Sequence, residues 1–196
     1  MSSIFGSKLK VSIFGESHGK AIGVVLDGLP PGIELDIDFI KVELSRRQPG
    51  KSQFSTQRKE TDSFEILSGY FQGRTTGTPL CAVIFNQDCK SQDYDHLKNL
   101  LRPGHADYTG FVKYRSFNDY RGGGHFSGRL TAPLVFAGAV AKQILRLCNI
   151  VIASHIKSIQ DVFDVSFDST NVDMEVLNKL KNSDFPVIEE LSGQKM

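Results

Sequence analysis

Several features that would place a chain in a specialised class are missing from this 196-residue sequence. Apolar residues never run uninterrupted for the ~20 positions that a membrane-spanning helix needs, and the start MSSIFGSKLK has no apolar stretch of the signal-peptide kind. A soluble, cytoplasmic chain without a membrane partner is therefore expected. Cysteine is scarce: Cys81, Cys89 and Cys148 are odd in number and stand apart from histidine, which predicts reduced thiols and no metal site. Runs of basic residues are absent beyond the pairs Arg46-Arg47 and Arg58-Lys59, which argues against a nucleic-acid partner. No G-x-x-x-x-G-K-[ST] loop occurs, no G-x-G-x-x-G follows a strand, and there is no internal repeat or low-complexity tract.

What charge there is lies unevenly. Residues 1–159 hold 20 Lys and Arg against 14 Asp and Glu, whereas residues 160–196 hold 3 against 8, so a net charge of +1 conceals a basic body and an acidic tail. Eight of the nine arginines fall between Arg46 and Arg129. The planar fork of arginine suits carboxylate and phosphate, so the cluster predicts an anionic ligand; the plainer alternative for each is a solvated face.

Length fits one domain able to bury roughly two thirds of its surface or more. Residues 8–14 and 22–26 read as strands joined by the loop GESHG. Asp36 is placed to cap a helix that runs to Arg47, with Pro49-Gly50 as its stop. Residues 64–67 and 80–85 are strand candidates separated by GRTTGTP, and residues 88–128 read as a long loop system. Leu134, Ala137, Gly138, Ala141, Leu145 and Cys148 recur at helical spacing and predict a buried face, with Pro133 in the first turn. A strand over 151–156 and a helix around 172–180 complete the expectation of one αβ domain over residues 1–196.

Three loops offer chemistry. Gly15-Glu16-Ser17-His18-Gly19 matches the G-x-S-x-G pattern of a hydrolase nucleophile elbow, but the match misleads, since a strand rather than a helix should follow it, and the plainer reading of Ser17 is a turn hydroxyl. Arg102-Pro103-Gly104-His105-Ala106-Asp107 brings an arginine, a histidine and an aspartate into one turn, where His105 is either structural or a proton carrier. Arg121-Gly122-Gly123-Gly124-His125-Phe126-Ser127-Gly128-Arg129 runs into the long helix and is a candidate anion cradle. His96 and His155 have no sequence neighbour to work with and read as structural.

Taken in order, GESHGKAIGVVLDGLPPGIELD, LSRRQPGKSQFSTQRKETD, ILSGYFQGRTTGTP, NQDCKSQDY, RPGHADYTGFVKY and DYRGGGHFSGRLTAP resemble chorismate synthases over essentially the whole chain. The resemblance implies an α+β fold, the N-terminal portion of a layered β-α-β sandwich. It also implies a lyase of the shikimate pathway that takes 5-enolpyruvylshikimate 3-phosphate to chorismate by 1,4-anti elimination. Reduced FMN is implied as cofactor, acting as a transient electron donor, with NADP as the associated nicotinamide and a homotetramer as the full-length assembly. By position in these motifs, His18 serves the departing phosphate and His105 protonates or stabilises the reduced flavin. Arg47 binds substrate with Arg46 and Ser17 as neighbours, Arg129 reaches either phosphate, and His125, Phe126 and Ser127 form a flavin-contact segment.

The match has departures. Many relatives have R-S-S-A-R-E-T where this chain has HFSGRLT, and some have arginine at Gln53. Family members are also not far short of twice this length, their later half supplying more flavin contacts and an aspartate for proton removal. A chain ending at Met196 is expected to expose apolar surface, to associate, and to form no chorismate alone. The competing expectations are a non-catalytic anion- or flavin-binding fragment and a serine hydrolase built on GESHG.

Overall fold

In a computed structural model, residues 3–48, 61–87, 94 and 100–196 are described. Pro49-Gly50, Gln53, Arg58-Lys59, Cys89 and His96 lie outside them. The chain divides into two compact units, Met1–Ile144 and Leu145–Met196. The first is built on an antiparallel five-stranded sheet of β1 (Ile4–Phe5), β2 (Lys10–Gly15), β3 (Ala21–Asp27), β4 (Phe64–Ser68) and β7 (Leu80–Phe85), in the order β1-β2-β3-β7-β4. Ile22, Val24 and Leu26 of β3 stand opposite Ile84, Ala82 and Leu80 of β7, so both strands turn the same alternate residues to one face. That face is covered by Ile40 and Leu44 of α1 (Ile37–Arg47) and by Phe136, Ala137 and Val140 of α3 (Thr131–Leu147). A short hairpin, β5 (Tyr70–Phe71) with β6 (Arg74–Thr75), turns through Gln72 and Gly73, both at positive φ as a two-residue turn of this kind demands.

Local signals explain α1. The Asp36 side chain accepts from the Phe39 N–H at 2.9 Å and caps the first turn, as its sequence position predicts. Gln143, buried on α3, accepts from the Asp36 N–H at 2.7 Å and donates to its carbonyl at 3.2 Å, which latches α3 to the start of α1. This latch also shows how the expected buried face of α3 is corrected. Ala132, Pro133, Phe136, Ala139, Val140 and Gln143 turn inward with Ala137, while Leu134 is 45% exposed and Gly138 and Cys148 are exposed. Apolar residues lie on both sides of α3, so periodicity alone could not choose; the edge-on contact of Phe136 with Phe64, centroids 5.0 Å apart, and the Gln143 latch choose. By length and composition the stretch Arg121–Leu147 could cross a membrane, yet these inward residues make α3 the core helix of its unit.

The expected loop system is only partly loop, for α2 (Asp107–Lys113) forms within it, followed by 3-10 turns at Arg121–Phe126 and Gly128–Leu130. In the second unit the strand expected over 151–156 does not form. A strand needs a ladder partner; here the Ile156 N–H bonds the Pro186 carbonyl instead, and the local hairpin is β8 (Ser158–Ile159) with β9 (Val162–Phe163). Two helices follow, α4 (Met174–Asn182), close to its expected place, and α5 (Glu190–Lys195).

Asp164 ties the second unit together. Its buried carboxylate accepts from the Ile188 N–H at 2.7 Å, the Glu189 N–H at 3.0 Å and His155 Nδ1 at 2.9 Å. Burial works against its charge, but the two backbone donors, with His155, outweigh it and hold the carboxyl below the ordinary carboxylate value. A carboxylate lowered in the fold contributes stability that is complete above the unfolded value, about 3.9, and is lost as pH falls through the folded one. Asp164→Asn should cost about 1.5–3 kcal/mol, the scale of bonds to a charged acceptor. Protection factors at the Ile188 and Glu189 amides, taken against the intrinsic exchange rate at each pH, should fall at neutral pH in the variant, and in the unaltered chain on acidification; unchanged protection would refute the role.

Candidate functional site

The loop between β2 and β3 is a tight hairpin end. Gly15 has φ 97°, and a Cβ there would lie 2.4 Å from the Ala21 carbonyl, so only glycine fits. The Gly19 N–H bonds the Glu16 carbonyl at 3.0 Å, which closes a turn with Ser17 and His18 at its centre. Ser17 is 1% exposed, and its hydroxyl lies 3.0 Å from His18 Nδ1. A buried serine in a hairpin followed by β3 has neither the exposure nor the helix of a nucleophile elbow.

The glycine-rich turn packs against this loop. Gly122, Gly123 and Gly124 all adopt positive φ, and a Cβ on Gly122 would meet His18 Cε1 at 2.3 Å and Nδ1 at 2.4 Å. The Ser17 N–H donates to the Gly124 carbonyl at 3.1 Å. His125 Nδ1 lies 2.9 Å from the Gly15 carbonyl, and since a carbonyl only accepts, that nitrogen carries a proton. Asp119 receives Arg121 Nε at 2.9 Å and its terminal nitrogen at 2.7 Å. Its burial opposes ionisation, yet the Arg121 side-chain and backbone bonds, and the His18 charge to a lesser degree, keep its carboxyl below the ordinary value.

Behind the hairpin lies a chain of polar contacts centred on Asp62, whose side chain is fully buried at φ 48°. Arg47 Nε donates to its Oδ2 at 3.1 Å, and Arg129 donates to its Oδ1. Arg129, 5% exposed, also donates from Nε to Asn86 Oδ1 at 3.1 Å, and Arg47 reaches Thr131 Oγ1 at 3.1 Å. The Asn86 Nδ2 group donates to the Glu16 and Gly19 carbonyls at 3.0 and 2.9 Å, which returns the network to the hairpin loop. Neither Asp62 nor Asn86 stands out in the sequence. Their partners lie 15, 43 and 67 positions away, and the signal was only their presence inside KETD and NQDCKSQDY.

Alongside, a cleft of about 450 Å³ is lined by Phe14, Tyr114, His125 and Phe126 together with the carboxylates of Glu16 and Asp119.

The family model described as chorismate synthase matches residues 9–196. The chain belongs to the chorismate synthase family. It is 49% identical over 179 residues to the chorismate synthase of Sulfurimonas denitrificans, covering 91% of this chain and 50% of that one. With the chorismate synthase of Sulfurovum sp. it shares 57% over 150 residues, which is 76% of this chain and 42% of the relative. A solved structure, the crystal structure of a chorismate synthase, superposes with a TM-score of 0.67 at 28% identity over 96% of this chain and 51% of that chain. The α+β class stands with it; the chain spans about half the length of the chorismate synthases it matches.

Among the residues expected at a chorismate synthase site, the structure brings Ser17 and His18 against the Gly122–Gly124 turn, His125 and Phe126 into one cleft wall, and Arg47 and Arg129 onto Asp62. Ser127 caps the following 3-10 turn, its hydroxyl accepting from the Arg129 N–H at 3.3 Å. Arg46 turns to the helix surface and Glu43, at 3.4 Å, away from Asp62. His105 is exposed in its turn and makes no hydrogen bond or ring contact with His18. Arg102 grips Asp107 at 2.8 and 3.0 Å, which holds the Asp107 carboxyl below its ordinary value. Tyr94 joins the two regions, edge-on to the His18 ring at 4.9 Å and within electrostatic reach of Arg102.

Gly122→Ala tests the contact that seats His18. A side chain at left-handed φ costs about 1–2 kcal/mol, and the new methyl must also drive the imidazole aside. Denaturant unfolding should show at least that loss, and the His18 ring resonances should move; wild-type stability with unmoved resonances would contradict the packing.

Proposed function

We propose that these residues form part of the site at which a chorismate synthase converts 5-enolpyruvylshikimate 3-phosphate into chorismate and phosphate. The observation that carries the reading is that one hairpin loop, holding His18, is bonded both to the turn bearing His125 and, through Asn86, to the Arg129–Asp62–Arg47 network. The reaction breaks a C–O bond, releasing phosphate, and a C–H bond at another ring carbon, whose proton passes to a base that these residues do not supply, and the electron pair of that C–H bond becomes one more C=C bond with no net oxidation. His18 holds a proton toward the departing phosphate oxygen, where negative charge grows as the bond lengthens. Arg47, 17% exposed at its side chain and bonded to Thr131 at the exposed end of the network, offers its fork to an anionic group of the substrate.

The cleft supports the cofactor part of the reading. Its volume is that of a small-molecule site, and the Phe14, Tyr114 and Phe126 rings with polar His125 suit a planar ring system that also needs hydrogen bonds, while Glu16 and Asp119 in the same lining leave an anionic phosphate tail to be held elsewhere. Reduced FMN would supply, when bound, the electron-rich partner that eases C–O cleavage. His125 is oriented by its bond to the Gly15 carbonyl, and the Phe126 ring, 41% exposed, offers an apolar face to the cleft. His105, Arg46, Arg129, Ser17 and Ser127 enter the reading by their motif positions, as do NADP, the homotetramer and the cytoplasm.

A chimera tests it: this chain replaces the matching half of the Sulfurimonas denitrificans chorismate synthase, and chorismate is assayed anaerobically with photoreduced FMN. Turnover near that of the parent is expected; a folded, FMN-binding but inactive chimera would overturn the proposal. In the active chimera, His18→Ala should lower turnover roughly 10²-fold or more, the scale of general acid catalysis, and unchanged turnover would remove His18 from the chemistry. Arg47→Lys should raise the KM for substrate while FMN affinity, read by flavin fluorescence, stays level. Equal weakening of both ligands would refute the Arg47 assignment.

A further inference from the structure

We infer that Asn86 is the positioning residue for His18: its side-chain amide clamps both ends of the Glu16 to Gly19 turn and ties that turn to the buried guanidinium of Arg129. The inference rests on the proposed role of His18 but is argued from geometry alone. Asn86 directly follows β7, and its N–H bonds the Lys20 carbonyl at 3.2 Å, extending the β3–β7 ladder by one step. The amide therefore projects from a rigid frame. Its two Nδ2 hydrogens go to the Glu16 carbonyl at 3.0 Å and the Gly19 carbonyl at 2.9 Å, the first and last residues of the turn that carries Ser17 and His18. Its Oδ1 accepts from Arg129 Nε at 3.1 Å.

This donor and acceptor set fixes the orientation of the amide. Flipped, it would aim NH₂ at a guanidinium and oxygen at two carbonyls, so each contact would fail. The set also explains the residue type. Aspartate keeps the acceptor for Arg129 but has no donor for the turn, and alanine keeps neither. Because Arg129 shares Asp62 with Arg47, the same amide connects the turn to the guanidinium proposed to bind substrate. His18 is thereby held by main-chain bonds at both flanks of its turn, by the Ser17 hydroxyl and by the Gly122 contact.

Imidazole and side-chain amide NMR of the 196-residue chain tests the clamp without any ligand. In the unaltered protein the Asn86 side-chain NH₂ should exchange roughly tenfold or more slower than that of exposed Asn171, since both of its bonds must open first. Exchange as fast as that of Asn171 would overturn the inference. In Asn86→Asp, which retains the volume and the Arg129 acceptor, the His18 ring should lose its single set of nitrogen shifts, while His155 keeps its own and the Val24 and Val140 methyls report an intact core. Unmoved His18 shifts in a folded Asn86→Asp protein would equally overturn it. Neither readout depends on turnover or flavin binding, so failure here is separable from failure of the proposed reaction.

Discussion

The interaction on which the site depends is the buried carboxylate of Asp62 between two guanidiniums. Side by side, Arg47 and Arg129 would repel, and Arg129 is too deeply buried to be hydrated. Removing one partner of such a pair typically costs about 3–5 kcal/mol because the other charge is left uncompensated. Asp62 meets the demand from a left-handed backbone, a conformation aspartate tolerates better than most side chains. Through this one residue the end of α1, the approach to β4 and the 3-10 turn before α3 are tied together, and Arg129 carries the tie on to Asn86 after β7. Together these segments enclose one carboxylate and two guanidiniums.

The second constraint is steric. Gly15, Gly122 and Gly124 are sites where main chain passes so close to main chain or ring that a Cβ would overlap it. At Gly124 the obstacle is the Asp119 carbonyl, 2.1 Å from where a Cβ would stand. That approach lets the Gly124 carbonyl accept from the Ser17 N–H and brings His125 to the Gly15 carbonyl. Close contact between two turns thus does for His18 and His125 what a helix interior does for a core residue: it leaves the rings few alternative positions.

How much of this the sequence discloses depends on the distance over which each signal acts. The Asp36 cap and the spacing of Ile40 and Leu44 are local, and α1 forms where they predict. The two strands around GESHG and the pair of strands at 64–68 and 80–85 were legible from short apolar runs for the same reason. The inward face of α3 was not, because it is decided by Phe64 and Asp36 on other elements. Val151 and Ile152 have strand-forming side chains but no partner strand among the described residues, a deficiency that composition cannot reveal. In the candidate site, Ser17, His18, Arg47 and His125 are singled out by their motifs, whereas Asp62 and Asn86 acquire meaning only from pairings that span the fold.

Arginine enrichment alone does not locate an anion site, since most guanidiniums here have a carboxylate at hand. Arg102 holds both oxygens of Asp107, and Arg74 holds Glu34 at 2.7 Å in the open. Such pairs offer an incoming anion little, because the carboxylate must be displaced before anything is gained. Arg47 differs. Its carboxylate is shared, one oxygen going to Arg129, and its remaining bond is to the neutral Thr131 hydroxyl. A phosphate or carboxylate that replaces that hydroxyl exchanges a neutral acceptor for a charged one without breaking the Asp62 contact, and charge-assisted bonds are roughly twice as strong as neutral ones. Arg47 therefore has more to gain from an anionic ligand than Arg102 or Arg74. Because Arg129 lies buried behind it and is bonded to Asn86, a gain at Arg47 is made against a support that cannot easily retreat.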